Sequence, residues 1–214
     1  MRKFTFVALL FATSMLRPSV VAADTLTLTS VGKGDWVSLQ VGGQTETGFA
    51  GEINWLVGGS PLFTYCVDLF DNALSVQQVT VGTTNDLTSL TDQQTTAGAG
   101  GRAAWLFNTY SDAIRTSGSN DQAAGLQLAI WQTLYSPGAF SVLSAPSAAL
   151  GYAATYLTSL GLNSSTAGYL DAAAGRGQDQ LFRVPEPLSL IPTGLGFFLL
   201  GMVLRRRTRT RVAS

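Results

Sequence analysis

Between Thr25 and Gly82 the chain breaks into short apolar runs divided by glycine turns, a pattern that favours strands. Thr25 to Val31 alternates polar and apolar residues, Gly32-Lys33-Gly34-Asp35 reads as a turn, and Trp36 to Val41 reads as the next strand. Gly42-Gly43 closes that strand, and Phe49 to Val57 and Leu62 to Phe70 follow on either side of Gly58-Gly59-Ser60-Pro61. Val76 to Val81 gives a fifth run. Glycine pairs between alternating runs predict antiparallel hairpins.

The period then changes. Ala103 to Ile114, Asp121 to Tyr135 and the alanine-rich Ala145 to Leu160 carry helical spacing, with Asn120 or Asp121 placed to cap the second helix. Asp179 to Val184 reads as a closing strand. Strands first and helices after predict an α+β fold, an antiparallel sheet with a helical group packed against it.

The chain has one cysteine, Cys66, in Tyr65-Cys66-Val67-Asp68, and no histidine. A lone thiol in an exported chain has no disulfide partner, and without histidine it lacks the usual base of a hydrolytic nucleophile. Strict alternation puts Cys66 with Thr64 and Asp68 on the less apolar face of its strand. In the second helix Ala123, Gln127, Trp131 and Tyr135 share one face beside Leu126, Ile130 and Leu134, so Gln127 points toward packed side chains. A buried amide needs partners, which can be backbone groups or, for a side-chain carbonyl, a covalent bond to sulfur.

The two segments, Tyr65-Cys66-Val67-Asp68 and Gln127-Leu128-Ala129-Ile130-Trp131, resemble the signature motifs of bacterial surface thioester domains. The likeness departs at Leu126, where that family usually has threonine. The resemblance implies an internal thioester between Cys66 and Gln127, formed with loss of ammonia and open to attack by a partner amine. Tyr65, Asp68 and Trp131 are the candidate surroundings of that bond. One bond per molecule is not turnover, so no enzyme and no cofactor are implied. A crosslink that only stabilises the fold, or none in an exopolysaccharide or biofilm matrix protein, is the alternative.

The two ends predict export. Arg2 and Lys3 precede an apolar run from Phe4 to Leu16, and Val21-Ala22-Ala23 supplies a cleavage site, so residues 1–23 read as a secretory signal peptide. Val184-Pro185-Glu186-Pro187, the apolar stretch 188–204, and the basic tail that includes Arg205, Arg206 and Arg207 resemble the PEP-CTERM sorting signal of Gram-negative bacteria. That resemblance implies an exosortase as processing partner for 184–211, with 188–204 expected as a transient membrane helix. Residues 24–183 form the expected surface domain. They carry five cations against twelve acids, net −7, which argues against nucleic acid as a partner. Asp68, Asp71 and Asn72 lack calcium-loop spacing, and no metal site is expected.

Overall fold

A computed structural model describes residues 24–84, 98–136, 138–172 and 176–184. The strands are β1 (Asp24–Val41), β2 (Gln44–Val57), β3 (Ser60–Cys66), β4 (Val76–Thr83), β5 (Phe140–Ser144), β6 (Gly168–Ala172) and β7 (Gln180–Phe182). The helices are α1 (Ala99–Ser117), α2 (Asn120–Leu134) and α3 (Ser147–Leu160).

All strand pairs are antiparallel, in the order β2-β3-β7-β6-β4-β1-β5, and β1 also pairs with β2. That extra pairing closes six strands into a barrel, with β5 added alongside β1. The expected α+β arrangement, an antiparallel sheet with a helical group against one side, is therefore corrected to a mainly β fold built on a closed barrel with three helices. Closure comes from β1, whose Leu26 has Val57 of β2 on one side and Gln77 of β4 on the other. Alternation within a strand reports which residues share a face, not which strands become neighbours, so closure leaves no local mark.

The expected membrane helix is corrected as well. No helix among the described residues is long and apolar enough to cross a membrane, and 188–204, where the span was expected, lies outside them. The expected signal peptide 1–23 and residues 185–211 of the expected sorting signal also lie outside. Val184 is described, near the chain's exit from β7, and is half exposed.

Gly42-Gly43 and Gly58-Gly59 do form two-residue hairpin turns, all four glycines having positive φ. The expected turn at residues 32–35 does not form. The strand runs straight through it with register shifts between Leu28 and Ser30 and between Val31 and Gly34. Gly34 lies opposite Gly51, and a Cβ on Gly51 would come within 2.3 Å of the Lys33 carbonyl oxygen, so these glycines serve close strand approach.

Helix α2 lies at the centre of the packing. It touches β1 and β2 on one side and α1 and α3 on the other, and is buried almost all round. Its start is set by Ser119, not Asn120 or Asp121. The Ser119 hydroxyl accepts from Gln122 N–H while the Gln122 side chain accepts from Ser119 N–H, a reciprocal capping box. Close contact with α3 depends on Gly125, where a Cβ would fall 2.6 Å from Tyr152 Cβ and 2.8 Å from the Ala149 carbonyl oxygen. Gly125→Val should destabilise the protein by about 1–3 kcal/mol through overpacking, measured by urea unfolding. An unchanged midpoint would show that α2 and α3 separate without cost.

Candidate functional site

β3 ends inside the protein. Its last ladder pair with β2 joins Tyr65 to Glu52, and its backbone alternates sides beyond that point. Val67 N–H goes to the Asp179 carbonyl at the start of β7, so the N–H and C=O of Cys66 point the opposite way, to the side β2 has left. Both are captured by one side chain. Gln127 Oε1 accepts from Cys66 N–H at 2.9 Å, and Gln127 Nε2 donates to the Cys66 carbonyl at 2.7 Å. The amide thus extends the ladder by one rung across 61 residues of sequence. Cys66 is 1% exposed and Gln127 is fully buried.

The less apolar face expected for Cys66 is itself buried. Thr64, Cys66 and Asp68 are buried, and so are Tyr65 and Val67 on the opposite face. With barrel and helices covering both sides, alternation does not separate an exposed face from a buried one.

The Cys66 thiol donates to the Asp68 backbone carbonyl, Sγ to O 2.7 Å. Burial, then the Asp68 charge, pushes the thiol well above its ordinary pKa, and Asp179 adds to this. The Trp131 indole N–H and a backbone contact at Asp68 oppose the rise. That indole N–H is buried and is near enough to Sγ to favour negative charge there, but its geometry falls short of a formed hydrogen bond.

Of the candidate surroundings, Trp131 and the Asp68 backbone therefore meet the Cys66–Gln127 pair. The Asp68 carboxylate accepts from Phe70 N–H at 2.7 Å and turns the chain after β3. Tyr65 does not bring its hydroxyl to the pair. Its ring packs edge-on against Phe107, its buried hydroxyl has no partner, and the residue lines a cavity of about 140 Å³ together with Glu52 and Arg115.

Three further residues support the site. Tyr135 donates to the Val67 carbonyl at 2.7 Å and accepts from Leu69 N–H at 3.2 Å. Its place on the Gln127 and Trp131 face of α2 was the available signal. Gln178 donates to the carbonyls of Asp68 and Asp71, 3.0 and 3.1 Å. Asp179 takes the Tyr169 hydroxyl and Ala172 N–H on its carboxylate. Neither of these last two stands in a periodic pattern that marks it beforehand.

Burial is the main cause that pushes the Asp179 carboxyl up to about 6, with Asp68 and Asp171 adding to it and the bonds from Tyr169 and Ala172 opposing it. Among the described residues no group of three or more His, Cys, Asp or Glu side chains is arranged to hold a metal ion. Compared with known protein families, curated proteins and solved structures, the chain matches none.

Two predictions follow from this geometry. Gln127→Leu orphans a buried N–H and a buried C=O, at about 1–3 kcal/mol each, and should lower stability by about 2–6 kcal/mol in chemical denaturation; a loss below about 1 kcal/mol would show that other groups satisfy Cys66. A carboxyl whose folded pKa is raised favours the folded state most when protonated, so Asp179 contributes stability below about pH 4 that is lost as pH rises through about 6. Asp179→Asn should remove this part of the slope in unfolding free energy, and an unchanged slope would exclude Asp179 as its source.

Proposed function

We propose that the protein is an exported surface adhesin or matrix protein in which Cys66 and Gln127 form an internal thioester able to bond a partner amine. The observation that carries this reading is the buried meeting of the chain's sole cysteine with the Gln127 amide, held at both its oxygen and its nitrogen. Sγ attacks Gln127 Cδ, the C–N bond breaks, and the thiol proton leaves with the amide nitrogen as ammonia. As the carbonyl oxygen gains charge, the Cys66 N–H already aimed at it stabilises that charge without rearrangement. Folding supplies the effective concentration, so formation requires no enzyme. Opening by an amine transfers Gln127 to the partner and frees Cys66. Delivery to the surface rests on the sequence of the two ends, with an exosortase as processing partner.

Burial of both residues supports a second reading, in which the bond is shielded and only stabilises the fold. Closing a loop of 61 residues would then add about 4 kcal/mol, by analogy with disulfides.

Intact mass tests both. The purified protein should weigh one ammonia less than its sequence and resist thiol alkylation, and Cys66→Ala and Gln127→Ala should each restore the full mass after allowing for the substitution. Methylamine should add to the native protein at Gln127 if the bond is a reactive crosslinker, and leave it untouched if the bond is only structural. Full sequence mass with a titratable Cys66 after unfolding would end both readings.

A further inference from the structure

A cavity of about 440 Å³ lies between the β1–β2 hairpin and the 69–73 loop, and Trp131 forms part of its wall. The volume is in the range of small-molecule sites. Cys66 and Gln127 are not among its lining residues, so the indole that faces the Cys66 sulfur stands between the cavity and the buried pair.

The lining has a definite chemistry. Trp36, 68% exposed, meets Phe49 edge-on at 5.9 Å, and Phe70, 49% exposed, stands across from them and packs edge-on against Tyr135. Glu46 and Asp71 supply carboxylates, and among the described residues no lysine or arginine lines the space. Of the five described cations four are engaged elsewhere, and the fifth, the exposed Arg176, does not line the cavity. Lys33 donates to the carbonyls of Ile114 and Arg115, Arg102 to that of Gly161, and Arg115 and Arg183 both pair with Asp112.

We propose that this cavity binds a primary ammonium group on an apolar stem, the chemistry of a lysine side chain, and guides it toward Trp131. Aromatic faces attract cations and accommodate the stem, while the carboxylates favour the charged head. A neutral saccharide would use the aromatic faces, the side-chain amides and hydroxyl bonds to the acids but would lack the charge attraction an ammonium has, and an anion would be repelled. The cavity thereby names the partner class for the thioester, and its part as an entry route rests on the function proposed above.

The step balances. The bound ammonium gives one proton to solvent by way of Glu46 or Asp71, and its nitrogen attacks Gln127 Cδ. The C–S bond breaks, and the amine's second proton ends on the Cys66 sulfur. The products are a secondary amide and a free thiol.

The test uses the Cys66→Ala protein, which cannot form the thioester, titrated with Nα-acetyl-lysine methylamide and followed by calorimetry and tryptophan fluorescence. Saturable binding is expected, with the uncharged norleucine analogue at least about tenfold weaker. Glu46→Gln, Asp71→Asn and Trp36→Ala should each weaken binding by about threefold or more, the scale of one exposed cation–aromatic contact. Glu46 and Trp36 are exposed, so their replacement tests binding without risk to the core. Absence of saturable binding, or equal affinity for the norleucine analogue or a neutral saccharide, would overturn the proposal. Full sequence mass in the unsubstituted protein would remove the thioester and leave this binding result standing. A thioester that takes up methylamine without preferring the lysine derivative would remove the cavity's role alone.

Discussion

The two hydrogen bonds between the Gln127 amide and the Cys66 backbone join the halves of this protein. β3 loses its β2 partner after Tyr65, and a strand end buried among side chains has no water to turn to. The side chain that replaces the missing strand comes from α2, so that helix is tied to the barrel at a fixed height and rotation. The capping box at Ser119 sets where α2 begins, Gly125 sets how near α3 can lie, and Tyr135 fastens the segment after Cys66. The intact amide makes both bonds, whereas a thioester would keep only the carbonyl oxygen's bond from Cys66 N–H and give up the one from Nε2. The Gln127 carbonyl carbon is held close to the Cys66 backbone in either case.

The polar groups around the strand end explain why the thiol rests neutral. Asp68 and Asp179 place carboxyls near a sulfur that has been removed from water, and both work against a thiolate. The Trp131 indole works the other way. A bond to carbon relieves this conflict, because a thioester sulfur carries no charge. The same arrangement makes a freed thiol a poor surface nucleophile, sheltered from the oxidation that threatens unpaired cysteines in exported proteins.

Local features were legible where their cause is local. The glycine pairs at 42–43 and 58–59 make the turns that such pairs favour, and α2, expected at 121–135, spans 120–134. Gln127 faces inward, as the spacing of its apolar neighbours indicates. β5 and β6 escaped notice because each has five residues, and Gly168-Tyr169-Leu170-Asp171-Ala172 becomes a strand only where β4 and β7 receive it. The irregular stretch of β1 resembles a turn in sequence because Gly32 and Gly34 suit either. Barrel closure and the burial of both faces of Cys66 are properties of distant pairings. In the site, Trp131 and Tyr135 could be read from the face they share with Gln127, whereas Asp179 acquires its role only through the β3–β7 neighbourhood.

The link between positions 66 and 127 also has a mechanical meaning. For a protein held at one end to a surface and at the other to a load, tension runs along the backbone and unravels whatever it can reach. A covalent bond at this point would carry the tension directly from β3 to α2 and bypass the chain between two positions 61 apart in sequence, which includes β4 and α1. About 200 Å of chain would then be withheld from extension. Breaking the link would release that length, turning a short tether into a long one.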